Sequence, residues 1–309
     1  MVGRVLKASL LFLANGNECP PPEVLVPCIC VTPHDPVIRC GNLTKMETIQ
    51  NIFKQSFDLR FKYFILENST LHFLPASSLI SKRFKGLMIV NTTLVGLFDE
   101  TPSAANTIEL FSLKKVRLQR NIDWVHFQKL TKLINLQFIE IHIKRLGKDF
   151  SENVTPDLAV LSLMHTRTTK LSDDVFAKMK SLWSILVAHT EIKTIKRSMF
   201  ARPAKIRNFG FTYSKIEYLP DDLFDEMPAL KSVGFTNNRI SFLKEATFQG
   251  VFSQIAVLNV VDNPIICDCS IEWITLSNNQ KVLGKCGGRS LKQGKMIKDL
   301  TQNDFKYCL

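Results

Sequence analysis

Residues 182–205, LWSILVAHTEIKTIKRSMFARPAK, and residues 206–229, IRNFGFTYSKIEYLPDDLFDEMPA, are one pattern written twice in different letters. The pattern opens at Leu158, recurs at Leu182, Ile206 and Leu230, and starts again at Ile255, at intervals of 24 or 25 residues. Each copy puts apolar residues at its first, fourth and sixth positions: Leu158, Leu161 and Leu163; Leu182, Ile185 and Val187; Ile206, Phe209 and Phe211; Leu230, Val233 and Phe235. A small polar residue follows at the ninth position, Thr166, Thr190, Ser214, Asn238 and then Asn263. Further on each copy carries a phenylalanine, Phe176, Phe200, Phe224 or Phe248.

Alternation at positions four and six makes a short strand with one buried side. One such strand cannot cover its own apolar face, so the units must stack around a continuous core. The ninth residue sits where the chain leaves the strand. There its side chain is placed to satisfy backbone groups that stacking buries. This pattern resembles the leucine-rich repeat family in its extracellular, 24-residue form. The resemblance implies an α/β repeat solenoid, a curved horseshoe with a concave parallel β-sheet and a disulfide-bonded cap at each end.

The eight cysteines agree with two caps. Cys19, Cys28, Cys30 and Cys40 lie at one end and Cys267, Cys269, Cys286 and Cys308 at the other, with none between. An even count grouped this way points to disulfides made in an oxidising compartment, and four cysteines allow three pairings. Zinc is the rival, but C-x-C brings two ligands unusually close, and His34 is the one histidine at hand. By the family resemblance, Cys19 pairs with Cys30, Cys28 with Cys40, Cys267 with Cys286 and Cys269 with Cys308.

Export is the matching expectation. Arg4 and Lys7 precede the apolar run Ala8 to Ala14, and Ala14-Asn15-Gly16 offers a cleavage site, so residues 1–16 read as a signal peptide. No later run has the length of a membrane span. The expected product is a soluble, secreted protein. Its sequons at Asn42, Asn68, Asn91 and Asn153 are then candidate glycan sites, although Pro156 follows the last of them.

Residues 17–60 read as the amino-terminal cap and lead-in, with Phe53 and Phe57 at helical spacing beneath the first coil. Residues 61–263 read as about nine repeats and residues 264–309 as the carboxyl-terminal cap. In the irregular first half, strands are expected at Phe64 and Leu66, Leu87 and Ile89, Val116 and Leu118, and Leu136 and Phe138. Ile141 then takes a ninth position, and residues 99–106, which include Pro102, read as an insertion that loops out. The string NPIICDCSIEWI at 263–274 matches the start of the family's carboxyl-terminal cap, where Ile271 and Trp273 would cover the last coil. Trp124 and Trp183 read as core.

No glycine-rich phosphate loop, H-E-x-x-H or G-x-S-x-G occurs. The expectation is a protein without enzyme activity and without a cofactor. The eighth positions place His165, His189, Tyr213 and Asn237 in one row, where two imidazoles one strand apart are spaced to share a ligand or, more simply, form an exposed row. The concave positions expected to meet a partner include Arg117, Arg120, His165, His189 and Tyr213, with Lys115, Met164, Leu186, Thr212, Thr236 and Asn237 around them. Asn68 and Asn91 would project on the same side, so their glycans would screen the early coils.

The formal charge is +12. Lys281, Lys285, Arg289, Lys292, Lys295 and Lys298 form a basic run in the carboxyl-terminal cap with no acidic residue among them. Such a patch attracts sulfated glycans or other acidic polymers and weakens with salt. Nucleic acid is not an expected partner outside the cell. CPPPEVLVPCIC, IFKQSF and CDCSIEWI together are similar to a group of arthropod secreted proteins named after the non-catalytic subunit of Oplophorus-luciferin 2-monooxygenase. That resemblance implies an accessory subunit that leaves the oxidation to another chain. Three functions therefore stand open: a protein-binding module, a matrix or glycosaminoglycan binder, and an innate immune recognition protein.

Overall fold

The computed structural model describes residues 19–32, 36–56, 59–288 and 290–308. The expected leader over residues 1–16, His34, Phe57 and Arg289 lie outside the described residues.

Strands formed by the repeats line up in one 12-stranded sheet, in chain order from Ile29–Val31 to Val282–Leu283. The first two strands, Ile29–Val31 and Val37–Gly41, pair antiparallel, and each later pairing is parallel. Successive coils enter the sheet at Tyr63, Gly86, Leu110, Asn135, Val160, Ser184, Asn208, Ser232 and Val257, each directly opposite the last. The period-two pattern settles which side is buried. In Val160–Met164, Leu161 and Leu163 are fully buried while Val160, Ser162 and Met164 face outward. The helix Met46–Gln55 turns Ile49, Ile52 and Phe53 under the first coils.

One strand of the irregular half is corrected. Val116 and Leu118 do not form the main strand of their coil; Leu110–Lys114 does, burying Phe111 and Leu113. Val116 is the buried ninth residue, and Arg117–Leu118 pairs with Thr93–Leu94 in a separate three-stranded sheet. Two apolar residues one apart look alike at either place, because both stretches alternate. The supposed insertion at 99–106 is not one: with the strand moved, its coil has ordinary length. Asp99 Oδ1 accepts from the Ala76 amide, and buried Asn106 donates to the carbonyls of Ser103 and Lys129.

The ninth residues act as the ladder. Asn238 Nδ2 donates to the carbonyls of Phe211 (2.8 Å) and Phe235 (3.0 Å), while its Oδ1 accepts from the Ile216 amide (3.0 Å). Asn263 repeats this with Phe235, Val260 and the Ile240 amide. Hydroxyl rungs do less: Thr190 and Ser214 bond each other at 2.7 Å, and Ser214 donates to the Thr212 carbonyl. On the far side of the core an aromatic column runs Phe150, Phe176, Phe200, then through Phe209 to Phe224, Phe248 and Trp273.

Disulfides Cys19–Cys30 and Cys28–Cys40 hold the first cap, and Cys267–Cys286 and Cys269–Cys308 the second. All eight thiols are thereby oxidised, which leaves no thiolate for zinc. Buried Ile271 and Trp273 close the last coil, and the Trp273 indole donates to the Leu243 carbonyl (2.9 Å).

The second cap also carries a pH-dependent tie. Lys295 Nζ donates to both Asp304 oxygens at 2.6 and 2.7 Å, and the Thr301 amide donates to one of them. These bonds, the lysine's first, hold the Asp304 carboxyl down at about 2. An aspartate depressed below its unfolded value of about 3.9 stabilises the fold above that value and loses the contribution as pH falls toward 2. Urea melts of Asp304→Asn should therefore show lower stability than wild type at neutral pH, with the gap closing between about pH 4 and 2. A gap independent of pH would refute the tie.

Candidate binding surface

Two surfaces follow from the coil geometry. One is the outward side of the sheet. Its residues run in rows across the strands, for example Ile65, Met88, Ser112, Gln137, Ser162, Leu186 and Gly210, and beside it Glu67, Val90, Lys114, Ile139, Met164, Ala188 and Thr212. From Tyr63 to Asn259 the outward strand positions carry just two charges, Glu67 and Lys114. Glu67 is neutralised by Arg39 at 2.9 Å. Ile139, Met164 and Leu186 are half-buried, and Gly210 leaves the space into which Leu186 leans.

The second surface is the edge where each coil turns off its strand. There Asn42, Asn68, Asn91, Lys115, Glu140, His165, His189, Tyr213, Asn237 and Asp262 form one column, each left-handed with φ between 45 and 56°. Asparagine and aspartate tolerate that region best. They occupy both ends of the column, and the middle five residues do not belong to this class. His165 and His189 stack face to face, 3.9 Å between centroids, and His189 stacks on Tyr213 at 4.3 Å. Stacked faces make a π contact, whereas chelation needs ring nitrogens pointed at one ion. Partial burial, then the neighbouring His165, keeps the His189 imidazole below its ordinary value.

Arg117 and Arg120 are corrected as sheet-face residues, a consequence of the strand register above. Arg117 lies in the small edge sheet, and both arginines line an open groove of about 640 Å³ beside the column. Lys115, Glu140, His142, His165, Arg167 and His189 line it too. Two neighbouring rungs beneath this groove, Val116 and Ile141, are apolar and lack the ladder's polar side chain. The sequence showed Ile141 in that position but hid Val116 behind the false strand.

The sequon asparagines Asn42, Asn68 and Asn91 stand exposed in the turn column and not on the sheet face, and Asn91 Nδ2 donates to Asn68 Oδ1 at 2.7 Å. Asn153 ends the helix Lys148–Asn153 and donates to the Asp149 carbonyl. Trp183 is also corrected: it is 43% exposed, because it precedes the strand Ser184–Ala188 and escapes its alternation. Trp124 is half-buried against Phe127, Phe138 and Phe150.

Half of the basic run in the second cap is turned inward. Lys281 lies over the Phe252 ring and donates to the Phe252 carbonyl, Lys292 lies over Phe305, and Lys295 pairs with Asp304. Sequence spacing could not show these partners. Among the described residues no three His, Cys, Asp or Glu side chains converge as metal ligands, and no helix is long and apolar enough to cross a membrane.

No protein-family profile and no curated protein matches the chain. Chains of solved structures do, 254 of them. One belongs to a structure described as the octameric complex of Latrophilin 3 (Lec, Olf), Unc5D (Ig, Ig2, TSP1) and FLRT2 (LRR); it has 14% identity and a TM-score of 0.61, over 86% of this chain and 89% of that one. At that identity the likeness is one of fold: the large parallel sheet of this chain resembles a chain of a complex that contains a leucine-rich repeat.

Proposed function

We propose that this protein is an extracellular, non-enzymatic binding module that holds a protein partner on the outward face of its sheet, the concave face of the horseshoe such repeats build. The observation that carries the reading is the near absence of charge on that face in a chain of formal charge +12. The centre of a protein interface is depleted in charged residues, and Met164, Leu186 and Ile139 offer a rigid apolar patch at mid-sheet. Four disulfides favour an extracellular setting. The solved complex that shares the fold contains several different proteins, which is in keeping with a role in assembly. Membership of a secreted oxidase complex as accessory subunit is the narrower form of the proposal, and it rests on the cap strings alone.

The test is affinity capture from extracellular fluid of the source animal, with wild type and Met164→Glu/Leu186→Glu as baits. A partner that survives a high-salt wash on wild type and is lost from the variant is the expected result. Equal capture by both baits would remove the sheet face from consideration.

A further inference from the structure

The groove beside the turn column has a chemistry of its own, distinct from the apolar sheet face. Four fixed cations, Lys115, Arg117, Arg120 and Arg167, line it against one carboxylate, Glu140, which lies 3.8 Å from Lys115. All four are exposed, so the excess positive charge faces solvent instead of being consumed in internal pairs. The cap lysines contrast with this, since Lys295 is held by Asp304 and Lys281 and Lys292 by ring faces and carbonyls.

Local backbone energetics points to the same place. A left-handed residue other than glycine, asparagine or aspartate costs about 1 kcal/mol or more. The turn column spends that energy on Lys115, Glu140, His165, His189 and Tyr213, of which the first four line the groove, and uses asparagine at the three positions before them. The ring stack ends at His165, so its outer face is turned toward the Glu140 coil and the groove.

Backbone amides offer nothing further to a ligand here. The amides of Lys115, Glu140 and His165 donate to the next coil, and those of Arg117 and Arg120 to the preceding one. Arg117–Leu118 is the outer strand of the small three-stranded sheet, but it is two residues long and offers an added strand few backbone bonds, and the apolar lining, Val116, Leu118, Ile122 and Ile141, is buried or half-buried beneath the charges. What remains is a row of side-chain cations, including three guanidinium forks that match planar or tetrahedral oxyanions, beside an aromatic face.

We propose that this groove binds an acidic polysaccharide, its sulfate or carboxylate groups held by Arg117, Arg120 and Arg167 and a sugar ring laid against His165. The proposal is independent of the protein partner on the sheet face, and the two sites fail or stand separately.

The intact protein is titrated with a heparin-derived octasaccharide, an oligogalacturonate that carries carboxylates alone, and a poly-glutamate peptide of equal charge. Both saccharides are expected to bind, more weakly as salt rises, and the peptide at least about tenfold more weakly than either. Arg117→Glu/Arg120→Glu should weaken saccharide binding about thirty-fold, and Lys285→Glu/Lys298→Glu in the cap less than about threefold. His165→Asn/His189→Asn, whose new residues suit the left-handed backbone and so preserve folding, should weaken it about fivefold. The idea is overturned if wild type binds neither saccharide, if the peptide binds as tightly, if either groove variant binds like wild type, or if the cap variant loses as much. Binding of the sulfated chain but not the carboxylate one upholds the groove and assigns it to sulfated ligands.

Discussion

Phe209→Ala is expected to lower stability by about 4 kcal/mol, near the top of the range for a buried phenylalanine. Phe209 is 1% exposed and touches four rings, Phe200, Phe211, Phe224 and Phe235, at centroid distances of 4.9 to 5.9 Å. It is also the link by which the aromatic column passes from Phe200 to Phe224. Its loss removes the transfer energy of a large side chain and leaves a cavity whose walls belong to three successive coils, so no single coil can collapse to fill it. Chemical denaturation measures the change, and Phe209→Leu should recover more than half of it. A loss under about 1 kcal/mol for the alanine variant would mean that the column is not continuous at this point.

The second large effect is expected at the ladder. Asn238→Ala should cost about 3 kcal/mol, because the Ile216 amide and the Phe211 carbonyl lose their partner in the core, while the Phe235 carbonyl keeps only the Asn263 amide. Asn238→Ser should cost about half as much, since a serine here can bond the Thr236 carbonyl two residues before it, as Ser214 bonds the Thr212 carbonyl in the previous rung. Asn238→Asp separates bonding from packing. It keeps the shape and the acceptor but aims an oxygen at two carbonyls, so it should be no better than alanine. An aspartate variant as stable as wild type would show that the side chain fills space and does not bridge the coils.

Much of this fold was legible because four consecutive copies share one register, and Leu161, Ile185, Phe209 and Val233 fall opposite one another in the sheet. Legibility failed where the ladder residue became apolar. Without a polar ninth residue the coil at Phe111 had no marker, and Val116-Arg117-Leu118 alternates as well as Phe111-Ser112-Leu113 does. That slip carried Arg117 and Arg120 onto the wrong surface. Buried Arg197 gave no sequence signal either. Its guanidinium is satisfied by the carbonyls of Asp225, Phe200 and Ala201, and backbone acceptors leave no trace in residue types. The stack of His165, His189 and Tyr213 was visible as a row at the eighth positions. Its meaning was not, because the groove beside it depends on the turn at Val116, whose register was misread.

The most direct measurement is the affinity of the captured partner, once purified, for wild type and three variants: Met164→Glu/Leu186→Glu on the sheet face, Arg117→Glu/Arg120→Glu in the groove, and Lys285→Glu/Lys298→Glu in the cap. The expected result is a loss of about a hundredfold or more for the first variant alone, since it buries two charges at the centre of an apolar interface. Unchanged affinity for the sheet-face variant, with the loss falling on the groove or the cap, would contradict the account.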